Sequence, residues 1–325
     1  MSVGWLFALR LSVCLSALAC AWPLLAQTAS VVFVGDVMLA DLPGKRIRQG
    51  HNPFAPFAAV LNASDIRIAN LECVITTIGK PEDKPFTFRA HPRTLPLLKK
   101  HFDLVSLANN HTGDFGTAAF SQMLDLLQAH GLPYVGGGRN LQQAHQAAMF
   151  ERHGVKIAVL AYNEFFPRSF EADVDKPGSA WSDDEQVVFD IQQARSQYGA
   201  DVVIPYMHWG VEDEPFATVR QQQLARLMID AGADAVVGGH PHVTQNTEIY
   251  RGKPIVYSLG NFVFDTYRSL ENTTGWALAL SVDKNGVSGA RIHEARIDNN
   301  GTPHPLRRHP LQCWTRGETA LTDCR

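Results

Sequence analysis

Five short apolar runs in this chain each stop at residues able to hold a divalent cation or move a proton. Gly35-Asp36 follows residues 31–34, and Asn70-Leu71-Glu72 follows 66–69. Asn109-Asn110-His111 follows 104–107, His208-Trp209-Gly210 follows 202–206, and Gly239-His240-Pro241-His242 follows 235–237. Carboxylates, imidazoles and amide oxygens suit first-row divalent ions such as Mn, Fe or Zn, and no cysteine cluster offers a competing thiolate site. One histidine after a strand is commonly just a satisfied polar group. His240 and His242 in one turn, with His208 and His111 after other runs, point instead to convergence. Pro241 stiffens that turn, and Gly238-Gly239 allow close backbone approach before it.

The runs that must position these residues alternate with amphipathic stretches. Strands are predicted at 31–34, 65–69, 103–107, 155–160, 201–205 and 234–237. Helices are predicted at 54–61, 94–101, 117–130, 183–197 and 219–231, the third from the spacing of Phe120, Met123, Leu124 and Leu127. From residue 244 onward the texture turns to successive strands, 255–257, 276–282 and 287–297, with Asn285-Gly286 as a turn. Alternation predicts a layered α/β fold, and the strand-rich last third predicts antiparallel pairing. A pair of sheets with helices outside satisfies both. In such sheets the carboxyl ends of strands are where ligand sites form. Residues 30–297 are expected to form the domain, and 298–325 a tail or surface flap.

The chain's 325 residues carry 45% hydrophobic and 19% charged side chains, so a packed core is expected and global disorder is not. A net charge of −3 without a long basic run gives nucleic acid no electrostatic footing as a partner. Residues 1–26 read as an export signal: one positive charge, Arg10, then an apolar or small stretch to Leu25 and a plausible cut after Ala26. The stretch is short for a membrane span, though a retained anchor is the alternative. Cys20, preceded by Leu18-Ala19 with Ala17 where a leucine is usual, only weakly resembles a lipoprotein site. Export implies a periplasmic or envelope-associated protein, membrane-anchored if the segment is retained. In that compartment Cys313 and Cys324 can pair, two free tail thiols being the alternative, and Cys73 reads as a buried small hydrophobe.

The ordered blocks resemble a known family. Gly35-Asp36-Val37-Met38-Leu39, Asn70-Leu71-Glu72, Leu107-Ala108-Asn109-Asn110-His111 with Asp114 and Gly116, His208-Trp209-Gly210, Gly239-His240-Pro241-His242 and Ser258-Leu259-Gly260-Asn261-Phe262 are similar to the signature blocks of the CapA proteins of poly-gamma-glutamate capsule biosynthesis. They follow family order over roughly residues 31–265. The resemblance implies a calcineurin-like metallophosphoesterase fold, a four-layer α/β/β/α sandwich. It also implies a role in making, exporting or anchoring poly-gamma-glutamate or a related anionic polymer, with membrane polymer-synthase subunits as partners.

Carried over by position, Asp36 and His242 would bind one metal, Glu72 would bridge two, and Asn110, His208 and His240 would bind the second. His111 would be the general acid or transition-state stabiliser. Two positions depart from the phosphoesterase pattern. Met38 stands where a histidine is usual, and Glu72 replaces an aspartate. Two readings follow: a metal-dependent hydrolase of a phosphoester or anionic envelope polymer, or a non-catalytic assembly protein on the same fold. Asp114 reads as a cap for the helix near Thr117. Asn261 and Asp265 read equally as site or turn residues, Trp209 as a core aromatic, and Glu212 and Glu214 as surface charge.

Overall fold

A computed structural model describes residues 28–265, 269–307 and 309–324, together with Met1. The expected export signal lies, apart from Met1, outside the described residues. Strand β1 (Ala29–Val37) leads to helix α1 (Asp41–Arg48) and to α2 (Ala58–Asn62), which is entered through a 3-10 turn at Ala55–Phe57. Then come β2 (Ile66–Leu71), α3 (Leu95–His101), β3 (Leu104–Ser106), α4 (Gly116–Ala129) and β4 (Tyr134–Val135). A hairpin of β5 (Ala148–Arg152) and β6 (Val155–Asn163) opens the second half. It continues with α5 (Asp184–Ser196), β7 (Val202–His208), α6 (Val219–Ala231) and β8 (Val236–Gly239). Last come β9 (Thr247–Tyr250), β10 (Lys253–Val256), β11 (Asn261–Val263), β12 (Thr274–Asp283), β13 (Gly286–Ile297), β14 (Pro303–Pro305), β15 (Gln312–Thr315) and β16 (Thr322–Asp323).

Two large sheets result. The first runs β16-β15-β13-β12-β1-β2-β3-β4, with β11 alongside the end of β1 and β14 on β13. The second runs β9-β10-β8-β7-β6-β5. Strands β1 to β4, and β6, β7, β8 and β10, pair in parallel; the hairpins at the margins are antiparallel.

Side-chain alternation builds the layers. Val31 and Phe33 of β1 face a core shared with Val202, Ile204 and Tyr206 of β7, which lies between the sheets. Val32 and Val34 face the other way, into a core with Leu98, Phe120 and Leu124 from α3 and α4. Val203 and Met207 of β7 turn to a third core with Ile191 of α5 and Leu224 and Met228 of α6. Three apolar layers between four structural ones make the α/β/β/α sandwich. Burial on both faces is why β1 and β7 are near-continuous apolar runs rather than alternating ones. Phe33 meets the Tyr206 ring edge-on at 5.4 Å, burial of each being worth roughly 1.5–3 kcal/mol. The Tyr206 hydroxyl then donates across the layer to the Val34 carbonyl at 2.7 Å, pinning the sheets together just before Asp36.

The stretch 298–325 differs from the expected tail. β14 and β15 pair with β13, and β16 with β15, so the stretch extends the first sheet. Trp314 is 2% exposed, within the core between the sheets. These strands are two to four residues long, too short for a periodic pattern, and form because β13 offers them an edge. Cys313 and Cys324 form the disulfide that tethers β15 to the chain end. Cys73 is free and buried, its thiol pushed up to about 12 by desolvation.

Candidate metal centre

The parallel strands all point their carboxyl ends the same way, and the polar residues meet there. Register breaks between Val34 and Asp36 against β2, a bulge that re-aims the Asp36 side chain. Gly35 makes this possible, because a Cβ there would lie 1.9 Å from the Gly260 carbonyl oxygen. Gly239 is equally constrained: its Cβ would lie 2.9 Å from Asp36 Oδ1. His240 and His242 both have positive φ, 94° and 58°, so the His-Pro-His turn holds two left-handed backbones to face its rings inward.

Asp36 is fully buried. Its Oδ1 accepts from Asn70 Nδ2 at 2.8 Å, and its Oδ2 lies 3.4 Å from His242 Nδ1. Burial pushes this carboxyl up, but hydrogen bonding and charge from His242, with Asn70, outweigh it and hold it below the usual range. Glu72 is the opposite case. It is 0% exposed, and neither carboxylate oxygen has a hydrogen-bond partner among the described residues. Burial, then the neighbouring Asp36, push it well above its ordinary value. His242 Nε2 lies 3.6 Å from Glu72 Oε1, and the Nε2 atoms of His111 and His208 each lie 3.9 Å from it.

The remaining rings surround this carboxylate. His208 Nε2 lies 2.7 Å from Asn110 Oδ1 and 3.1 Å from His240 Nδ1. His240 Nε2 is buried without a hydrogen-bond partner, and desolvation with the nearby His242 depresses this imidazole to about 3. His208 is also driven well below its usual range by burial and then by His240. His111 is held by Asp114, whose Oδ2 lies 2.8 Å from Nδ1, so that Nε2 faces Glu72. Burial depresses its basicity, partly offset by Asp114.

All seven sequence-predicted residues, Asp36, Glu72, Asn110, His111, His208, His240 and His242, therefore come together. Among the described residues, two groups could hold an ion, with donor atoms mutually within 4.8 Å: Asp36, Glu72 and His242, and Glu212, His240 and His242. A divalent cation fits these residues on chemical grounds. Two buried carboxylates side by side and an orphaned imidazole nitrogen are costly unless a positive charge satisfies them.

Several neighbours read differently from the sequence expectation. Met38 packs in the helix-side core, its sulfur 3.2 Å from the Ala40 amide, away from the ligands. Asp114 caps no helix; it accepts from the Phe88 amide at 2.6 Å and pairs with Lys84 at 2.5 Å besides orienting His111. Asn261 Oδ1 lies 2.9 Å from His242 Nδ1, so it joins the site, whereas Asp265 accepts from the Leu42 amide in α1. Trp209 is a core aromatic, donating to the Tyr257 carbonyl at 2.9 Å. Glu212, read as surface charge, reaches the histidines. Sequence reasoning also missed Asn163, although it ends β6 as the other site residues end their strands. Beside Asn110 and Asn163 opens a cleft of about 330 Å³, lined also by Lys84, Phe165, Arg168 and Trp181. Phe165 stands 4.6 Å from the His240 ring.

Fold and site together define an α/β/β/α sandwich with a candidate metal centre where its parallel strands end. A solved structure with the same fold is the 5'-nucleotidase precursor from Thermus thermophilus, with a TM-score of 0.52 at 12% identity, covering 85% of this chain and 56% of that one. Residues 30–266 match the family model described as bacterial capsule synthesis protein PGA_cap, and the chain belongs to this family. It is 34% identical to the PGA biosynthesis protein CapA of Bacillus subtilis, over 87% of this chain and 75% of that protein. It is 31% identical to the capsule biosynthesis protein CapA of Bacillus anthracis, over 74% of this chain and 60% of that protein.

Proposed function

We propose that this chain is an exported protein of capsule or poly-gamma-glutamate biosynthesis that acts as a metal-dependent hydrolase on a phosphoester or an anionic envelope polymer. The observation that carries the reading is the fully buried Glu72, both oxygens without hydrogen-bond partners, facing Asp36 and three imidazoles. Asp36, Glu72 and His242 would hold one cation; Glu72, Asn110, His208 and His240 would hold a second. Bound divalent ions supply Lewis acidity toward an anionic oxygen of the group under attack. His111, fixed by Asp114, has its Nε2 at the site and would act there as general acid or transition-state stabiliser. Asn261 orients His242 through Nδ1. Lys84, tethered to the Asn110 carbonyl at 2.9 Å, brings a positive charge to the cleft edge where an anionic substrate would enter.

Family membership and the relatives' names support the capsule role. The export-like pattern of residues 1–26 supports a periplasmic or envelope location, where membrane polymer-synthase subunits would be the partners. No described helix is long and apolar enough to cross a membrane. The turned-away Met38 favours a second reading, a non-catalytic assembly protein with one cation.

Metal analysis of the purified chain, followed by a screen of phosphoesters and poly-gamma-glutamate, separates the two. About two equivalents, with turnover falling roughly 10²–10⁴-fold in His111→Ala at unchanged metal content, is expected of the hydrolase. One equivalent without turnover supports the assembly protein. No metal in folded, never-chelated protein overturns both.

A further inference from the structure

We propose that Glu212, from the exposed loop after β7, completes the coordination of a cation held at His242, the residue common to both candidate donor groups. This rests on the cation-binding reading above. Among the described His, Cys, Asp and Glu residues, Asp36, Glu72 and His242 offer three buried donors there, whereas first-row divalent ions in protein sites take four or more. Met38, the next side chain but one from Asp36, contributes nothing, because its sulfur lies against the Ala40 amide. The Glu212 carboxylate lies within 4.8 Å of donor atoms on both His240 and His242, and the second of these is common to the two candidate groups. His240 Nε2, fully buried and without a hydrogen-bond partner, stands in the same group.

The loop is built to present this carboxylate. Gly210 and Asp213, on either side of Val211-Glu212, both have left-handed backbones, φ 91° and 64°. The Asp213 amide donates to the Pro241 carbonyl at 2.9 Å, which ties the loop to the turn bearing both histidines. Asp213 Oδ1 accepts from Asn272 Nδ2 at 2.7 Å, and the Asn272 carbonyl accepts from Asn261, the partner of His242. From beneath, Gln221 donates to Gln245, and Gln245 donates to the Glu214 and Phe216 carbonyls. Glu212 itself forms no hydrogen bond or ion pair with a described side chain. With no partner among the described side chains, Glu212 is held by this fastened loop within 4.8 Å of His240 and His242, where a cation arriving from solvent would meet it.

Equilibrium dialysis of the whole mature chain against Mn²⁺, with bound metal counted, tests this. Glu212→Gln is expected to lose one equivalent or to weaken one position at least about tenfold. Glu214→Gln, on the same loop, should bind as wild type. Gly210→Ala should weaken the same position, because a Cβ there meets the Gln221 side-chain amide at 2.8 Å and shifts the loop. Glu212 is exposed, so loss of fold is not the expected confounder, and circular dichroism checks it. Wild-type binding in Glu212→Gln, with loss in Asp36→Asn, overturns the role of Glu212 and leaves the site standing. Equal loss in Glu214→Gln overturns it as a mere surface-charge effect. No binding by wild type overturns both the role and the site.

Discussion

The two ends of the parallel strands use the same residue type in opposite states. At the amino ends, Asp65, Asp103, Asp201 and Asp234 stand just before β2, β3, β7 and β8. Each carboxylate accepts from a backbone amide of the neighbouring strand: Ser30 at 2.8 Å, Arg67 at 3.0 Å, Lys156 at 2.8 Å and Val203 at 2.9 Å. Two add a cation, Arg67 on Asp103 and both Arg195 and Lys253 on Asp234. These are clamps that fasten one strand to the next, repeated in both sheets. At the carboxyl ends, Asp36 and Glu72 face each other with imidazoles around them, and Glu72 has no hydrogen-bond partner. A carboxylate whose lone pairs are taken up by donors holds structure. One left with lone pairs facing inward waits for a ligand.

The sharpest way to break this contrast is to neutralise one acid at each end. Glu72→Gln should abolish binding of at least one cation and cut any hydrolysis by about 10²-fold or more, since an ion that stabilises developing charge is lost. Its thermal midpoint in chelator should match or exceed wild type, because an unpaired buried carboxyl is removed. A fall of several degrees in chelator would show that Glu72 is structural after all. Asp234→Ala should do the reverse. It strands the Val203 amide and removes the carboxylate that Arg195 and Lys253 share, at a cost of about 2 kcal/mol, with metal content unchanged. Denaturant unfolding and metal analysis on the same samples read both.

The contrast was half legible in the sequence. Where a strand is buried on both faces, its apolar run announces it, and Asp36, Glu72, Asn110, His111, His208, His240 and His242 could be placed at the ends of such runs. The four clamp aspartates were visible too, each opening a predicted strand, but nothing in one dimension says that Asp103 meets an amide of β2 while Glu72 meets no donor. Partnering is a property of register across strands. The same reason hid Glu212, whose inward aim depends on Asp213 bonding Pro241, and misplaced Asp114, which serves His111 one turn back rather than the helix ahead. β14 to β16 escaped notice because an edge supplied by β13, not their own pattern, makes them strands.

The smallest effect is a pair of opposite slopes with pH. Burial pushes Asp65 up, but hydrogen bonds from His153 and Ser30 outweigh it, so its folded value lies below the ordinary 3.8. As pH drops through that window the unfolded chain takes up a proton before the folded one. The stability Asp65 contributes is therefore full above about pH 4 and is lost on acidification. Glu72 has the other sign. Its folded value lies well above the ordinary 4.5, so between the two the folded state keeps a proton the unfolded state has released, and stability falls as pH rises. Urea unfolding of the chelated protein from about pH 3 to pH 7 separates the two ends by difference. Wild type minus Asp65→Asn should shrink toward low pH, and wild type minus Glu72→Gln should shrink toward high pH. Parallel curves for Glu72→Gln would mean that the carboxyl ionises normally in the fold, and the separation of clamp from site would lose its electrostatic basis. Asp65 is only half-buried, so its slope should be the shallower and should weaken further in salt.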